Sequence, residues 1–426
     1  MNYPDSVQFL YSLGNEIKST KLGLERIRAT LAALGDPQLR CRFVHIAGTN
    51  GKGSTSAMIE SALRTAGVRT GLFTSPHLAQ PTERIRVRGA PVSAERFAAA
   101  FDRVHDTVGR LLDRGAIDLH TSYFETVTAM AFLIFAEEPV DCVVLEVGLG
   151  GRLDATNVVS PELCVVTPVD FDHEAYLGRS LDAIAGEKAG ILKPGVRAIF
   201  ARQRPEADEV LTRRAAELHC PVTRTSDFTV RDLALDARGS RFVLSGERHL
   251  RIHCPLAGEH QVENAVVAAA ALLRLEIADS AVEAGIAAAQ WPGRLERVAG
   301  NPEIVLDGAH NPAGARALAA YIDRFYAGRR VRLIYGAMRD KAIAEISGIL
   351  FPRAWEVILT APRQARAFSP EKMCDFADHP RVSVAPDLEA ALAMVAGVPA
   401  EDVVFVTGSL FLVAEARALL SLPLTR

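Results

Sequence analysis

The sequence predicts an α/β protein in which a mostly parallel sheet is flanked by helices. Short apolar runs alternate with helical stretches along the chain, and right-handed crossovers between such strands produce a parallel sheet. A further series of strands and helices follows a segment with proline and glycine near residue 294, which predicts a second, smaller α/β domain. With 426 residues, the chain is also too long for one ordinary core.

Composition favours a globular enzyme over a nucleic-acid-binding or membrane protein. Hydrophobic residues make up 49% and charged residues 23% of the chain, and the formal net charge is -3, so no general attraction to nucleic acid or an anionic membrane is expected. The six cysteines include no Cys-x-x-Cys pair, which predicts neither a zinc site nor a disulfide framework. Without a recognisable leader or a long apolar run, we expect a cytoplasmic protein that acts on small anionic molecules.

The first elements surround a glycine-rich loop. Apolar residues at helical spacing over 24–34 predict a helix that ends at Gly35, and the apolar run 43–47 predicts a buried strand. The loop HIAGTNGKGST then occupies residues 45–55 and leads into a helix predicted from Ser56. The pattern is therefore strand, glycine turn, helix.

The remaining elements of the first domain follow the same alternation. They are a strand at 68–73, helices at 94–112 and up to 135, and strands at 140–147 and 163–169. The segment 79–91 interrupts them with Glu83 and three arginines among few apolar residues. It is predicted to be a mobile surface loop that closes over bound substrate.

Short alternating runs over 223–255 predict a small antiparallel subdomain, and alanine-rich helices are predicted at 261–273 and 280–290. The stop signal at 291–296 places the domain boundary, which divides the chain into 1–294 and 295–426. The second domain is predicted to be Rossmann-like, with strands at 304–306, 331–335, 356–360, 381–385 and 403–406.

The glycine loop has the composition of a phosphate cradle of the P-loop type. Gly48, Gly51 and Gly53 allow close approach of the backbone to a ligand, a helix N-terminus supplies N–H groups, and Lys52 supplies positive charge. The spacing departs from the general P-loop pattern, since only two residues separate Gly48 from Gly51. The alternative is a glycine turn without a ligand.

Three further polar residues lie at the carboxyl ends of successive predicted strands, namely Ser75, Glu146 and His173. Ligands bind along the carboxyl edge of open α/β sheets, so we expect these residues to share a site with the glycine loop. An oxygen and imidazole shell around Mg²⁺ is the functional interpretation. A solvated strand-end glutamate and a capping or core histidine are the alternatives.

Lys188 lies on the same helical face as Leu181 and Ile184, where a charged lysine is disfavoured by burial. It is either a snorkelling or ion-paired lysine, or a lysine with a chemical role. In the second domain, the segments 307–312 and 408–409 follow strands and are either functional or turns that cap a helix. Arg294 is either a surface charge or part of the site.

The order and spacing of eight motifs resemble those of the folylpolyglutamate synthase and dihydrofolate synthase family of the Mur ligase superfamily. The resemblance covers nearly the whole chain. The motifs are HIAGTNGKGST, TSPHL with ERI, EVGLGGRLDATN, DHEAYLG, EKAGILKPG, WPGRLE, LDGAHNP and GSLFLVAEAR.

The resemblance implies roles for individual residues. For ATP it implies Gly48, Thr49, Asn50, Gly51, Lys52, Gly53, Ser54, Asn264, Arg294 and Asp307. For Mg²⁺ it implies Ser75, Glu146 and His173, with carbamylated Lys188 at a second ion. For the pterin substrate it implies Ser122, Tyr123, Phe124, Glu125, Leu153, Asp154 and Ala155, with His310 and Ser409 near incoming glutamate. Lys52, Lys188 and His310 are the implied catalytic groups.

The implied reaction is ATP-dependent amide formation by an acid–amino-acid ligase. The substrate carboxylate would attack the γ-phosphate of ATP, and L-glutamate would capture the acyl phosphate as the two domains close on one cleft. The segment 151–157 is similar to that of bifunctional members, which use dihydropteroate and tetrahydrofolate, and the family implies a monomer. The alternatives are polyglutamylation alone, a ligase of a peptidoglycan precursor, a phosphotransferase and a non-catalytic nucleotide-binding regulator.

Overall fold

The computed structural model describes residues 1–14, 23–298 and 300–420, which group into two compact units. The N-terminal unit contains Met1–Asp170, Glu174–Thr229 and Asn264–Ala288. The C-terminal unit contains Phe171–His173, Val230–Glu263 and the chain from Ala289 onward. None of the described helices is both long and apolar enough to cross a membrane.

An eight-stranded, mostly parallel sheet organises the N-terminal unit, as the sequence predicts. Its strands are β1 (Arg42–Ala47), β2 (Thr70–Phe73), β3 (Ile85–Val87), β4 (Ala90–Pro91), β5 (Cys142–Glu146), β6 (Leu163–Val166), β7 (Arg197–Phe200) and β8 (Val222–Arg224). Their order is β4-β3-β2-β5-β1-β6-β7-β8, with β3 and β4 antiparallel at one edge and the other pairs parallel. Strands β2, β5, β1 and β6 are therefore neighbours, and the segments that follow them meet at one edge.

Ten helices precede, connect or follow these strands among the described residues. They are α1 (Tyr3–Ser12), α2 (Glu25–Ala33), α3 (Lys52–Thr65), α4 (Ala94–Asp113), α5 (Tyr123–Glu137), α6 (Glu174–Leu177), α7 (Leu181–Ala189), α8 (Pro205–Glu217), α9 (Glu259–Arg274) and α10 (Asp279–Ala287). The apolar helix α5 lies in a hydrophobic core of this unit, with Phe132 and Phe135 fully buried. Its lack of a polar face fits burial on all sides.

The segment predicted to be a mobile loop is folded, so that prediction is wrong. It forms a 3₁₀ turn, Pro81–Arg84, followed by β3 and β4. Glu83 is 6% exposed, and its carboxylate accepts hydrogen bonds from the backbone N–H groups of Leu78, Ala79 and Gln80 at 3.0, 2.8 and 2.6 Å. Glu83, one of the charged residues that suggested exposure, satisfies the backbone of a tight turn instead.

The C-terminal unit contains two sheets. Its strands are β9 (Thr229–Asp236), β10 (Gly239–Ser245), β11 (His249–Cys254), β12 (Glu296–Val298), β13 (Glu303–Leu306), β14 (Val331–Tyr335), β15 (Glu356–Leu359), β16 (Val382–Val384) and β17 (Val403–Thr407). The larger sheet has the order β12-β13-β17-β14-β15-β16 and is parallel except for β12, and β11-β10-β9 form the smaller one. Its other helices are α11 (Pro312–Phe325), α12 (Ile343–Leu350), α13 (Pro370–Met373), α14 (Leu388–Val395) and α15 (Leu410–Leu419).

The grouping of residues departs from the predicted division at residue 294. Residues 230–263, predicted to belong to the first domain, group with the C-terminal unit. The hydroxyl of Tyr321 donates to the carbonyl oxygen of Ala237 at 2.8 Å, and Ala257 lies in the C-terminal core. The beginning of the predicted antiparallel segment is also corrected, because β8 pairs in parallel with β7 in the large sheet.

Candidate active site

The glycine loop occupies the carboxyl end of β1, and α3 begins at Lys52 rather than at the predicted Ser56. Gly51 is the N-cap residue with φ of 84°, and a Cβ there would collide with Oδ1 of Asn264. A Cβ at Gly48, with φ of 147°, would collide with the hydroxyl of Thr167. Both positions therefore require glycine.

Thr49 fastens the loop to the segment after β6. Its N–H and that of Asn50 donate to the carbonyl oxygen of Pro168, at 2.9 and 3.3 Å. The Thr49 hydroxyl donates to the carbonyl oxygen of Asp170 at 2.9 Å and accepts from its N–H at 3.0 Å. The N–H groups of Lys52, Gly53 and Ser54 lie in the first turn of α3, where a helix has no acceptor of its own for them, so they are the better phosphate donors.

Two lysines meet at one carbonyl oxygen. Lys52 Nζ donates to the carbonyl oxygens of Gly48 and Thr49 at 3.1 and 3.2 Å, and Lys188 Nζ donates to that of Gly48 at 2.8 Å. Lys188 is 4% exposed on α7, on the buried face that the sequence predicts. The structure thus brings both predicted catalytic lysines to the phosphate loop.

Ser75 follows β2, and Glu146 is the last residue of the neighbouring strand β5, at the same edge of the sheet. The N–H of Ser75 donates to Oε2 of Glu146 at 3.1 Å, and Glu146 is 3% exposed. A hydroxyl and a buried carboxylate are hard oxygen donors, so this pair fits Mg²⁺. Among the residues described, no group of three or more His, Cys, Asp or Glu side chains could hold a metal ion by itself. The protein would therefore supply only part of the shell, and phosphate oxygens and water the remainder.

The segment 148–157 follows β5, and Asp154 braces it from inside. The carboxylate accepts from the N–H of Leu149 at 2.8 Å and from the N–H and hydroxyl of Thr156 at 3.0 and 2.5 Å. Burial raises the pKa of Asp154, although these hydrogen bonds oppose the shift. Ala155 is buried and Leu153 is partly exposed. The substrate roles of these three residues remain predictions.

The predicted pterin residues 122–125 begin α5. Ser122 and Glu125 form a capping box, in which the Ser122 hydroxyl accepts from the Glu125 N–H at 3.3 Å and the Glu125 carboxylate accepts from the Ser122 N–H at 2.8 Å. The Arg26 guanidinium also pairs with Glu125 at 3.0 Å. Tyr123 stacks on Tyr11 with 5.7 Å between ring centroids. Tyr123 is 3% exposed and the Arg84 guanidinium lies over its ring, whereas Phe124 is only partly buried, so Phe124 is the more available of this set for a flat ligand.

Phe124 lies against Gly148, where a Cβ would approach the ring to 2.5 Å, and 5.9 Å between centroids from Phe73. A side chain larger than hydrogen at position 148 would displace this ring. Phe124 therefore connects the start of α5 with the segment after β5.

In the C-terminal unit, Asp307 fixes the turn after β13. Its carboxylate accepts from the N–H groups of Leu295 and Ala309, both at 3.0 Å. Burial raises the pKa of Asp307, and nearby Arg294 opposes that shift. Arg294 donates to the carbonyl oxygen of Gly293 at 3.0 Å. Their predicted contacts with ATP remain predictions.

His173 belongs to a charged cluster in the C-terminal unit that centres on Asp172. Lys341 Nζ lies 2.9 Å from Asp172 Oδ1, and the Asn311 side-chain amide donates to Oδ2 at 3.1 Å. Although burial opposes it, Lys341 and both neighbouring histidines lower the pKa of Asp172. The sequence does not predict Lys341 as a site residue, because a lysine that follows an aspartate after a glycine turn carries no distinctive signal. The role of His173 as a metal ligand is untested.

His310 lies 3.7 Å from Asp172, measured from Nε2 to Oδ2. Its Nδ1 is 2.8 Å from the carbonyl oxygen of Gly308 and must donate, because a carbonyl only accepts. Burial, reinforced by Lys341, lowers the pKa of His310 to about 4. The ring is therefore neutral near pH 7 and accepts through Nε2.

Ser409 caps α15 by accepting from the N–H of Phe411 at 3.1 Å, and it is 2% exposed. Ser409 therefore caps a helix, which is one of the two alternatives that the sequence leaves open for residues 408–409. A role toward glutamate remains a prediction.

Two parts of the chain match models of Mur ligases. Residues 90–272 match the Mur ligase middle domain, and residues 293–410 match the Mur ligase glutamate ligase domain. Together with the glycine loop, they define a protein of the Mur ligase type.

The relatives give a finer assignment. The chain is 37% identical to the dihydrofolate synthase/folylpolyglutamate synthase of Bacillus subtilis, over 93% of this chain and 94% of that one. It superimposes on the Mycobacterium tuberculosis folylpolyglutamate synthase complexed with ADP and AMPPCP with a TM-score of 0.91, 35% identity and coverage of 98% and 99%. For Escherichia coli FolC in complex with DHPP and ADP, the TM-score is 0.88, with 32% identity and coverage of 98% and 97%. The chain belongs to the dihydrofolate synthase/folylpolyglutamate synthase family.

Proposed function

We propose that this protein is an ATP-dependent ligase that joins L-glutamate to the carboxylate of dihydropteroate and of reduced folates such as tetrahydrofolate. The observation that carries the proposal is the meeting of Lys52 and Lys188 at the Gly48 carbonyl, on a loop that ends in a helix N-terminus. The positive charge of Lys52 and the N–H groups at the start of α3 are what a triphosphate needs. Membership of the family supports the choice of substrates.

The first step is attack of the substrate carboxylate on the γ-phosphate of ATP, which forms an acyl phosphate and releases ADP. Two unit charges about 4 Å apart repel by roughly 4 kcal/mol at an effective dielectric constant of 20. Lys52 reduces this repulsion by placing its ammonium beside the phosphates. Ser75 and Glu146 would hold Mg²⁺, which supplies further neutralisation when bound.

The second step is attack of the glutamate amine on the acyl phosphate, in which the C–N bond forms, the C–O bond to phosphate breaks and the amine loses its protons. The neutral ring of His310 is suited to accept a hydrogen bond from the incoming ammonium group, and Ser409 is the second candidate contact. Because acyl phosphates hydrolyse, the reaction requires that water be excluded.

Lys188 is proposed to act as a carbamate. Its neutral amine would attack CO₂ to form an N–C bond with loss of one proton, which leaves an anion for a second metal ion and one N–H. Lys188 is 4% exposed, and CO₂ adds only to the uncharged form of its amine.

A bifunctional enzyme is the preferred form of the proposal, because the segment Gly151 to Asn157 resembles that of bifunctional members. Polyglutamylation alone is the second candidate. We further propose that the protein is a cytoplasmic monomer. All six cysteines are free thiols, which suits a reducing compartment.

Phosphate release from ATP tests the proposal. Purified protein with Mg²⁺ and bicarbonate receives L-glutamate together with dihydropteroate, tetrahydrofolate or a muramyl precursor, and each pair is repeated without glutamate. Glutamate-dependent release with both pterin substrates, and a product heavier by one glutamyl residue, is the expected result. Release with tetrahydrofolate alone would favour the single activity, and release with the muramyl precursor alone would refute the proposal.

A further inference from the structure

The Asn157 side chain joins the segment 148–157 to the end of α7. Its amide nitrogen donates to the carbonyl oxygens of Arg152 and Gly190 at 2.9 and 3.0 Å, and its oxygen accepts from Lys193 Nζ at 2.7 Å. Asn157 is 5% exposed. One buried amide therefore uses both of its donors and its acceptor across this junction.

The same junction has close backbone contacts. A Cβ at Gly190 would collide with Arg152, and one at Gly151 would lie 2.8 Å from the carbonyl oxygen of Glu187. The N–H of Arg152 donates to that same Glu187 carbonyl at 2.8 Å. No side chain fits between the two segments, so a shift of one requires a shift of the other.

Lys188 lies between the two points of attachment, Glu187 and Gly190. Its Nζ reaches the carbonyl oxygen of Gly48 at 2.8 Å. The position of this amine therefore depends on the position of the last turn of α7. Asn157 holds that turn in place. A carbamylated Lys188 retains one N–H, which can still donate to Gly48 while the carbamate oxygens point elsewhere.

We propose that Asn157 is a positioning residue for Lys188, which holds the lysine where it donates to Gly48 and accepts CO₂. The inference rests on the proposed function, because it assumes that Lys188 acts as a carbamate. Asn157 would thus affect the phosphate loop through Lys188 and not through a contact of its own with the loop.

The test is a bicarbonate titration of the full-length protein followed by ¹³C NMR with ¹³C-labelled bicarbonate. A carbamate signal that is lost in Lys188→Gln belongs to Lys188. In Asn157→Ala we expect half-occupancy of that signal to require about fivefold more bicarbonate, a size typical of coupled neighbours. Glutamate-dependent phosphate release should recover with the same bicarbonate dependence.

Ser61→Ala is the matched control, because Ser61 is buried and its hydroxyl donates to the Gly285 carbonyl at 2.7 Å, away from α7. It should lower the melting temperature without changing the titration. If Asn157→Ala does not fold, Asn157→Ser replaces it, and a smaller shift in the same direction is expected since a hydroxyl can serve one of the two carbonyls.

An Asn157 variant that titrates as the parent does would overturn the inference and leave Asn157 as a brace. A parent that forms the amide but shows no Lys188 signal at saturating bicarbonate would also overturn it, while the proposed ligase would stand. A parent that forms no amide would instead refute the proposed function.

Discussion

Lys52 is the residue for which the structure separates function from stability most clearly. Its ammonium bonds two backbone carbonyls and is only partly buried, so little stability depends on it. Lys52→Met should lower kcat/KM for glutamate-dependent phosphate release by about 10²- to 10³-fold, the range seen when a charge-stabilising donor is removed. Steady-state kinetics and thermal melts check both parts, with Lys52→Arg as the control that keeps the charge. Retained activity together with a large loss of melting temperature would contradict the proposed role.

His45 makes the N-terminal unit sensitive to acid. It is fully buried on β1, its Nε2 lies 2.9 Å from the Thr156 hydroxyl, and its Nδ1 has no hydrogen-bond partner. Burial, with a further contribution from Lys193, lowers the pKa of His45 to about 3. Below its ordinary pKa the unfolded chain therefore binds a proton that the folded protein does not, and stability falls as the pH decreases from about 6.5 toward 3.

His45→Gln should remove this part of the pH dependence. The lost slope is about 1.4 kcal/mol of unfolding free energy per pH unit for one proton. Urea titrations at several pH values between 5 and 7 measure it. The other buried histidines, such as His260 with a pKa lowered by burial to about 4, will keep a residual slope in the variant. An unchanged slope in His45→Gln would show that another group carries the effect.

At the scale of elements, the turn held by Glu83 provides the third prediction. Glu83→Gln replaces one acceptor oxygen by an N–H₂ group that faces backbone donors, and leaving a buried donor without a partner costs about 1–3 kcal/mol. Hydrogen exchange of the N–H groups of Leu78, Ala79 and Gln80 should accelerate. Glu95→Gln, at an exposed carboxylate on α4, is the control and should leave those rates unchanged. Equal rates in both variants would mean that the turn does not depend on the carboxylate.

This turn also shows where sequence reasoning succeeds and where it stops. Strands such as β1 and β5 are apolar and continuous, so their pattern alone located them and placed Ser75 and Glu146 at one edge. The charged residues around Glu83 have the composition of an exposed loop, and only the folded chain shows that they bond a buried backbone. The sequence predicts that α3 begins at Ser56, because glycine is disfavoured inside helices. In the structure α3 begins at Lys52, and Gly53 lies in its first turn.

At the scale of the whole molecule, pairing within a sheet was predictable from patterns, but the grouping of distant segments was not. The three strands β9, β10 and β11 follow elements of the N-terminal unit in sequence, and nothing in their alternation indicates the core on which they pack. No sequence signal indicates that the Ala237 carbonyl accepts a hydrogen bond from Tyr321 on α11, or that Ala257 lies in the C-terminal core. The C-terminal unit is therefore discontinuous along the chain.

That discontinuity leads to the last prediction, which concerns fragments. The fragment 295–426 has the boundaries that the sequence suggests, but it lacks Ala257 from the C-terminal core and the Ala237 carbonyl that binds Tyr321, a residue 2% exposed. A fragment that joins 230–263 to 289–426 through a glycine-serine linker restores both. Since removal of residues 230–263 takes packing away from the C-terminal core, the shorter fragment should melt at a lower temperature or without cooperativity. Circular dichroism melts of the two fragments measure both the melting temperature and the cooperativity. Equal cooperative transitions would mean that 295–426 is a complete folding unit.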